Sequence, residues 1–357
     1  MKSLVIDARM IHLSGIGRYL RNMIPYFRKY FDLILLGDPS IIPQYTDIQG
    51  LKVIPVYRRI YDPREHWTLK RKIPEADYYF SPHFVTPFFR IKCGKRITTI
   101  HDLYHISRFS ELNGFMKSYI KMLIRNALKK SDLIIAISHF TKEEILAGFP
   151  GYEGKIEVIH QALSENFSHN SPKESSCDTF SKKYILYVGN VKPHKNLIRS
   201  IEAFKKFEDG SLTFRIIGSK EGFIIKEKRL DSLIADDERI NFTGPVSDDE
   251  LMSLYREAEF LICPSLYEGF GITPLEALSC GTPSLISDIP VSGEVYQKAA
   301  FFCDPYSVDS ICEGIKKLTD ISVREKILEE GKKLLSYYSL ERLYKDYDSV
   351  LKKFSFL

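Results

Sequence analysis

Two carboxylates in the C-terminal third of the chain, Glu268 and Glu276, lie eight residues apart, with Gly269, Gly271 and Pro274 between them. Glycine N–H groups followed by a helix N-terminus form a site for an anion, most often phosphate. A carboxylate accepts hydrogen bonds from neighbouring sugar hydroxyls. The segment therefore favours a ligand that joins a sugar, a diphosphate and a ribose, although a surface loop with a capping glutamate also fits it.

The residues around these carboxylates predict the elements that position them. An apolar run at 260–263 predicts a strand, and a second apolar run at 284–286 predicts another. Pro274 suits the first turn of the helix between them, because its missing N–H would be unpaired there anyway. Gly281 and Pro283 predict the end of that helix. The predicted order is strand, glycine loop, helix, turn and strand.

The whole chain of 357 residues repeats this alternation of strands and helices, which predicts an α/β fold with parallel sheets. Its length suits two domains. We predict Rossmann-like domains at 1–165 and 183–338, a polar, serine-rich linker at 166–182, and a helix within 339–357. The two doubly wound domains are expected to face each other across a cleft.

Two features of the first half are further site candidates. Gly15 and Gly17 predict a glycine loop after the first strand, either presenting N–H groups to an anion or making a tight turn. His101 directly follows the predicted strand at 96–100. Ligands of open parallel sheets bind beyond the carboxyl ends of strands, so His101 is either a site residue or a structural histidine.

Charge is distributed unevenly along the chain. Residues 1–165 carry 25 Lys and Arg against 16 Asp and Glu, whereas the remainder carries 26 against 30. Basic residues alternate with aromatic ones at 57–72, and 115–130 predicts a basic amphipathic helix. An anionic membrane surface, a nucleic acid and a plain solvated face all remain open for these segments, and nucleic acid is the partner we expect least.

Composition excludes several classes of protein. No run of about 18 apolar residues is present, and the N-terminus does not resemble a signal peptide. The six cysteines lack C-x-x-C spacing, which argues against a structural zinc site and for reduced thiols. We expect a cytoplasmic protein, with or without peripheral attachment to the inner face of the cell membrane.

The order of these motifs resembles glycosyltransferase family 4, whose members have the GT-B fold. The family signature E-G-F-G-x-x-x-x-E is present from Glu268 to Glu276, and residues 189–196 resemble the family's phosphate-binding loop. Gly15-Ile-Gly-Arg-Tyr19, His101-Asp102 and Ser138-His-Phe-Thr141 match as well. The resemblance implies that the C-terminal helix crosses back onto the first domain, which binds the acceptor, while the second domain binds a nucleotide sugar.

The resemblance also implies roles for individual residues. Lys195 would neutralise the departing diphosphate, Glu268 would hold sugar hydroxyls and Glu276 would bind ribose. His101 would lie near the donor sugar. The other implied donor-binding residues are Gly15, Gly17, Asn190, His194, Gly269, Phe270, Gly271, Ile272 and Thr273. Asn190 and His194 stand where many members have arginine, so charge stabilisation would rest more on Lys195, and His194 would make activity sensitive to pH.

Members of this family transfer a hexose with retention of configuration and need no metal or other cofactor. We therefore expect a glycan or a lipid-diphosphate saccharide as acceptor, and the similarity of residues 189–196 to mannosyltransferases favours GDP-mannose as donor. Asp346-Tyr-Asp348 has the spacing of a metal-binding pair but lies in a predicted helix. The alternatives are a nucleotide-sugar epimerase, a glucan synthase-like enzyme, and a binding protein without catalysis.

Overall fold

The computed structural model describes residues 1–168, 183–208, 210–219, 230–235 and 237–357. The chain divides into two compact units: unit 1 comprises Met1–Ser164 with Leu340–Leu357, and unit 2 comprises Glu165–Ser339. Most of the predicted linker at 166–182, including Cys177, lies outside the described residues, and residues 165–168 form a short helix. The other five cysteines are free thiols.

Unit 1 contains a seven-stranded sheet in the order β3-β2-β1-β4-β5-β6-β7, and its paired strands are parallel. The strands are β1 (Lys2–Asp7), β2 (Phe31–Gly37), β3 (Lys52–Pro55), β4 (Ala76–Ser81), β5 (Cys93–Ile100), β6 (Leu133–Ala136) and β7 (Ile156–Val158). The helices are α1 (Ser14–Arg28), α2 (Glu65–Lys72), α3 (Gly114–Lys130) and α4 (His139–Gly148). Apolar clusters bury the sheet, as the continuous apolar runs of its strands predict.

Unit 2 contains a six-stranded parallel sheet in the order β10-β9-β8-β11-β12-β13. Its strands are β8 (Lys183–Val188), β9 (Leu212–Ile217), β10 (Ile240–Gly244), β11 (Phe260–Cys263), β12 (Ser284–Ser287) and β13 (Phe301–Cys303). Its helices are α5 (Glu165–Ser168), α6 (Leu197–Lys206), α7 (Leu230–Ala235), α8 (Asp248–Glu257), α9 (Ile272–Ser279), α10 (Pro290–Tyr296), α11 (Val308–Leu318) and α12 (Ile321–Tyr337). The predicted doubly wound α/β architecture is confirmed in both units.

The last helix, α13 (Leu340–Lys353), packs inside unit 1. Its residues Leu343, Tyr347 and Leu351 are buried in the core that surrounds β1. The Tyr347 hydroxyl contacts the Tyr19 hydroxyl of α1, and Asp348 accepts a 2.7 Å hydrogen bond from the Tyr26 hydroxyl. Within the part of the chain that the structure describes, no helix combines the length and apolarity needed to cross a membrane.

Candidate active site

The order of strands in unit 2 reverses between β8 and β11, its two central neighbours. Open α/β sheets bind ligands outside the carboxyl ends of their strands at such a reversal. The segments that leave these two strands are residues 189–196, which we call the lysine loop, and residues 264–271, the glutamate loop. Lys195 and Glu268 therefore come from the two loops that this topology places at the ligand-binding edge.

Direct hydrogen bonds hold the lysine loop against its neighbours. The Asn190 side-chain oxygen accepts from the Ser219 N–H at 3.4 Å, next to the end of β9. The Leu266 N–H of the glutamate loop donates to the His194 carbonyl at 2.7 Å. His194 itself is buried. Asn190 and His194 thus join the lysine loop to its surroundings, and their predicted contact with a donor remains a prediction.

Asn196 fixes the end of the lysine loop. Its backbone is left-handed, with φ 60°, a conformation that asparagine tolerates better than most residues with a side chain. Its side-chain nitrogen donates to the Pro264 carbonyl at 2.9 Å and to the Pro305 carbonyl at 2.7 Å. One buried amide therefore links the segments that follow β8, β11 and β13, and it immediately follows Lys195.

Lys195 and Glu268 form an ion pair across the two loops. Lys195 Nζ lies 2.5 Å from Glu268 Oε1, and the side chains are 27% and 16% exposed. An ammonium ion suits the neutralisation of a phosphate, and a carboxylate suits sugar hydroxyls. The structure brings these two predicted residues into direct contact and keeps both accessible to a ligand.

The glycine segment that follows Glu268 leads into α9, as predicted. Gly271 has φ 82°, which favours glycine, and it is the residue before the first helical residue, Ile272. The Gly271 carbonyl accepts a hydrogen bond from the Tyr296 hydroxyl. Gly269 and Phe270 are buried, and the Phe270 ring packs edge-on against Tyr338 at 5.5 Å between centroids.

The first turn of α9 contains the remaining predicted residues of this segment. Ile272 and Thr273 are half-buried, and Pro274 is the third helical residue. The positive end of a helix favours a negative charge within its first turn. The N-terminus of α9 is therefore electrostatically suited to a phosphate, whereas contacts of Ile272 and Thr273 with the donor remain predictions.

Glu276 is the fifth residue of α9 and is 2% exposed. Its Oε2 accepts a hydrogen bond from the Tyr255 hydroxyl of α8 at 3.4 Å. A carboxylate oxygen accepts hydrogen bonds from hydroxyl groups, which is the chemistry that binding of ribose needs. The structure thus places Glu276 on the helix predicted for it, and its role toward ribose remains a prediction.

In unit 1, His101 directly follows β5 and is buried. Its Nε2 lies 2.9 Å from the Pro82 carbonyl, and its Nδ1 lies 3.1 Å from the side-chain nitrogen of Gln161. Because a carbonyl only accepts, the proton lies on Nε2 and Nδ1 accepts from the amide. Burial lowers the pKa of His101 to about 4, although nearby Asp102 acts to raise it. The ring is neutral near pH 7.

The prediction that residues 14–19 form a glycine loop is wrong. Helix α1 already begins at Ser14, so Gly15 and Gly17 occupy its first turn. A Cβ atom at Gly17 would lie 2.4 Å from the Ile11 carbonyl oxygen, whereas one at Gly15 would meet nothing within 4 Å. Gly17 is therefore required by the close approach of α1 to the segment after β1, and a contact of either glycine with a ligand remains a prediction.

Asp346 and Asp348, which have the spacing of a metal-binding pair, both contact other side chains of unit 1. Asp346 pairs with Arg342 at 2.9 Å. Asp348 accepts from the Tyr26 hydroxyl. Both carboxylates lie on α13, as the sequence predicted.

A buried charge network at the end of β1 was not predicted. Arg9 donates to Asp7 at 2.8 and 2.6 Å and to Glu65 of α2 at 2.7 Å. Glu65 also accepts from the Tyr61 N–H at 2.8 Å. The sequence could have indicated a charged pair, because Asp7 and Arg9 lie together at the end of a predicted strand. It could not have indicated Glu65, which is 56 residues from Arg9. The network holds the start of α2 against the carboxyl end of β1.

Two family models match the chain. The model described as Glycosyltransferase Family 4 matches residues 13–166, and the model described as Glycosyl transferases group 1 matches residues 177–334. The first match falls almost entirely in unit 1, and the second lies in unit 2. Together they account for most of both units.

Relatives of similar length are named as mannosyltransferases. The O-antigen chain mannosyltransferase B of Escherichia coli is 28% identical over an alignment of 368 residues, gaps included. The alignment covers 92% of this chain and 93% of the relative. The O-antigen chain mannosyltransferase RfbU of Salmonella typhimurium is 28% identical over 303 residues, with 83% and 79% covered.

Similarity to solved structures concerns the fold. HepE of Anabaena, solved in complex with UDP-glucose, matches with a TM-score of 0.78 at 14% identity, and the match covers 100% of each chain. The two parallel sheets, the loops at their ligand-binding edges and the two matching family models agree with the motifs found in the sequence. The chain is a glycosyltransferase of family 4 with the GT-B fold.

Proposed function

We propose that the protein transfers a hexose, with retention of configuration, from a nucleotide sugar to a glycan or lipid-linked saccharide in the synthesis of a cell-surface polysaccharide. The observation that carries this proposal is the contact of Lys195 with Glu268 at the strand reversal of unit 2. A cation for phosphate and a carboxylate for hydroxyls lie together where a nucleotide sugar would present both groups.

The proposed reaction takes place on one face of the sugar. The bond between the anomeric carbon and the diphosphate oxygen breaks, and its electron pair remains on the diphosphate. Lys195 neutralises that charge, and Glu268 holds the sugar by its hydroxyls. An acceptor oxygen then bonds to the anomeric carbon on the face that the diphosphate leaves, while its proton passes to a phosphate oxygen. This route needs neither a metal nor a protein base.

GDP-mannose is the donor that we propose. The two relatives are named as O-antigen mannosyltransferases. A UDP-sugar is the donor to test beside GDP-mannose, because the solved complex of HepE contains UDP-glucose. The experiment that identifies the donor also separates sugar transfer from epimerisation of the nucleotide sugar and from binding without catalysis.

The donor is identified by a thermal-shift and turnover screen with GDP-, UDP- and TDP-sugars. We expect GDP-mannose to raise the melting temperature most and to be hydrolysed slowly without an acceptor, because water replaces the acceptor hydroxyl. Glu268→Ala should lose the part of the shift that depends on the sugar. Conversion of the donor into another nucleotide sugar would indicate an epimerase. Absence of any shift and any turnover would contradict the transferase proposal.

We further propose that the enzyme works at an anionic membrane surface through unit 1. Helix α3 contains five Lys and Arg residues and no carboxylate in 17 residues, and its Phe115 is 81% exposed. Trp67 of α2 is 53% exposed and stacks on Phe89 with 4.2 Å between ring centroids. Exposed aromatic rings beside cations suit the interface of an anionic bilayer.

Flotation with phosphatidylglycerol or phosphatidylcholine vesicles tests this surface. We expect binding to the anionic vesicles alone, and we expect Phe115→Ser with Trp67→Ser to lower the bound fraction severalfold. Tyr306→Ser, at a half-exposed ring of unit 2, is the matched control and should leave binding unchanged. Equal flotation with both lipids, or equal flotation of all variants, would contradict the proposed surface.

A further inference from the structure

The ion pair between Lys195 and Glu268 joins two groups that the proposed function assigns to opposite sides of the bond that breaks. Lys195 serves the leaving diphosphate, and Glu268 serves the hydroxyls of the sugar. The Glu268 carboxylate oxygen lies 2.5 Å from the Lys195 ammonium nitrogen. A diphosphate that approaches Lys195 therefore meets a cation whose charge is already balanced by an anion.

Among the residues that the structure describes, no other charged group around the small cavity beside Glu268 offsets the effect of Glu268 on Lys195. Neutral groups line the small cavity beside Glu268, among them Cys263, Ser265, Phe270 and Tyr296. Burial raises the pKa of the Cys263 thiol to about 11, so it adds no charge near neutral pH. Partial burial of both partners limits screening by solvent, so the charge of Glu268 is felt strongly at Lys195.

The loops also keep the two partners at short range. The Leu266 N–H binds the His194 carbonyl at 2.7 Å, and the Asn196 amide binds the Pro264 carbonyl at 2.9 Å. These bonds link the lysine loop to the glutamate loop on the backbone next to both charged residues. The linked backbones place Glu268 within reach of Lys195.

We infer that Glu268 makes the site discriminate between a nucleotide sugar and the bare nucleoside diphosphate, because only a sugar offers this carboxylate hydroxyl partners. This inference rests on the proposed function. A complete donor supplies hydroxyl donors to Glu268 while its diphosphate binds Lys195. Once the sugar has been transferred, Glu268 loses those donors and competes with the product diphosphate for Lys195. The carboxylate therefore weakens product binding and favours product release.

Glu268→Gln tests this inference because glutamine retains the size and hydrogen-bonding ability of the side chain without its charge. We expect GDP and UDP, measured by calorimetry, to bind the variant about two- to fivefold more tightly than the wild type, the scale of a partly exposed ion pair. The nucleotide sugar should bind no more tightly than it does to the wild type. The increase in affinity for the diphosphates should be smaller at high salt, because salt screens the charge of Glu268 in the wild type. Glu313→Gln, at an exposed position of α11, is the control and should change neither affinity.

Two results would overturn the inference, and only the second would also overturn the proposed function. If folded Glu268→Gln binds the diphosphates as the wild type does, or more weakly, the discrimination fails while the proposed function stands. If neither protein binds any nucleoside diphosphate or nucleotide sugar, the proposed function fails with it. Circular dichroism of each variant establishes that it is folded before either result is interpreted.

Discussion

Replacing Lys195 with alanine is expected to lower the turnover of sugar transfer about 10²- to 10³-fold, the usual effect of removing one preorganised group that stabilises a developing negative charge. Charge builds on the diphosphate as its bond to the sugar breaks, so most of the loss should appear in kcat. The Glu268 carboxylate would then face the leaving group without its cationic partner, which adds to the loss.

Initial rates of diphosphate release, measured over a range of donor concentrations, check this prediction. Lys316→Ala is the matched control, because Lys316 is an exposed lysine of the same unit, in α11. Its kcat should equal that of the wild type. If Lys195→Ala retained more than a tenth of the wild-type turnover while the control behaved as expected, Lys195 would not stabilise the leaving group.

The regular elements of the sheet were predictable from sequence because a parallel strand buried on both faces is a continuous apolar run. The apolar run at 260–263 forms β11 with the same bounds, and the run at 284–286 forms β12, which is one residue longer. Strand β13 was missed because it is only three residues long. Helix α10 was missed because its sequence contains Pro290, Gly293 and two valines, and burial of Val291, Val295 and Tyr296 overrides that weak propensity.

The site was predictable in its residue types and less so in its geometry. The glutamates and Lys195 were identified from motifs, but the contact of Lys195 with Glu268 depends on the pairing of β8 with β11, which lie far apart in sequence. Gly15 and Gly17 suggested a loop because glycine is a poor helix former. The structure continues the helix through both, since Gly17 allows α1 to approach the Ile11 carbonyl.

Contacts between distant residues were not predictable at all. Asn196 binds carbonyls at positions 264 and 305, and Arg9 binds a carboxylate at position 65. A single sequence contains no local pattern that specifies such a partner. These two side chains nevertheless support the carboxyl ends of β8 and β1, and Asn196 holds the lysine loop in place.

The Arg9 network leads to the largest expected effect on stability. Arg9→Met should lower the free energy of unfolding by about 3–5 kcal/mol, because it leaves two buried carboxylates without their cation. The side chains of Asp7 and Glu65 are 4% and 0% exposed. Native-state hydrogen exchange of the β1 and α2 amides, together with urea unfolding, should locate the loss in unit 1.

The pH dependence of that loss gives a sharper test. Burial raises the pKa of Glu65 to about 7 even though the Arg9 charge acts to lower it. The stability that Glu65 contributes is therefore greatest below its unfolded pKa of about 4.5 and is lost as the pH rises through 7. Without Arg9 the folded pKa moves higher still, so the deficit of Arg9→Met should be smaller at pH 5.5 than at pH 8.5.

Arg28→Met is the control for this network, because Arg28 pairs with Asp47 on the surface of the same unit. A surface pair contributes about 0–1 kcal/mol, and that variant should show little change with pH. If Arg9→Met were as stable as Arg28→Met at pH 8.5, the buried carboxylates would not depend on Arg9. A deficit that grew toward pH 5.5 would instead contradict the assignment of the raised pKa to Glu65.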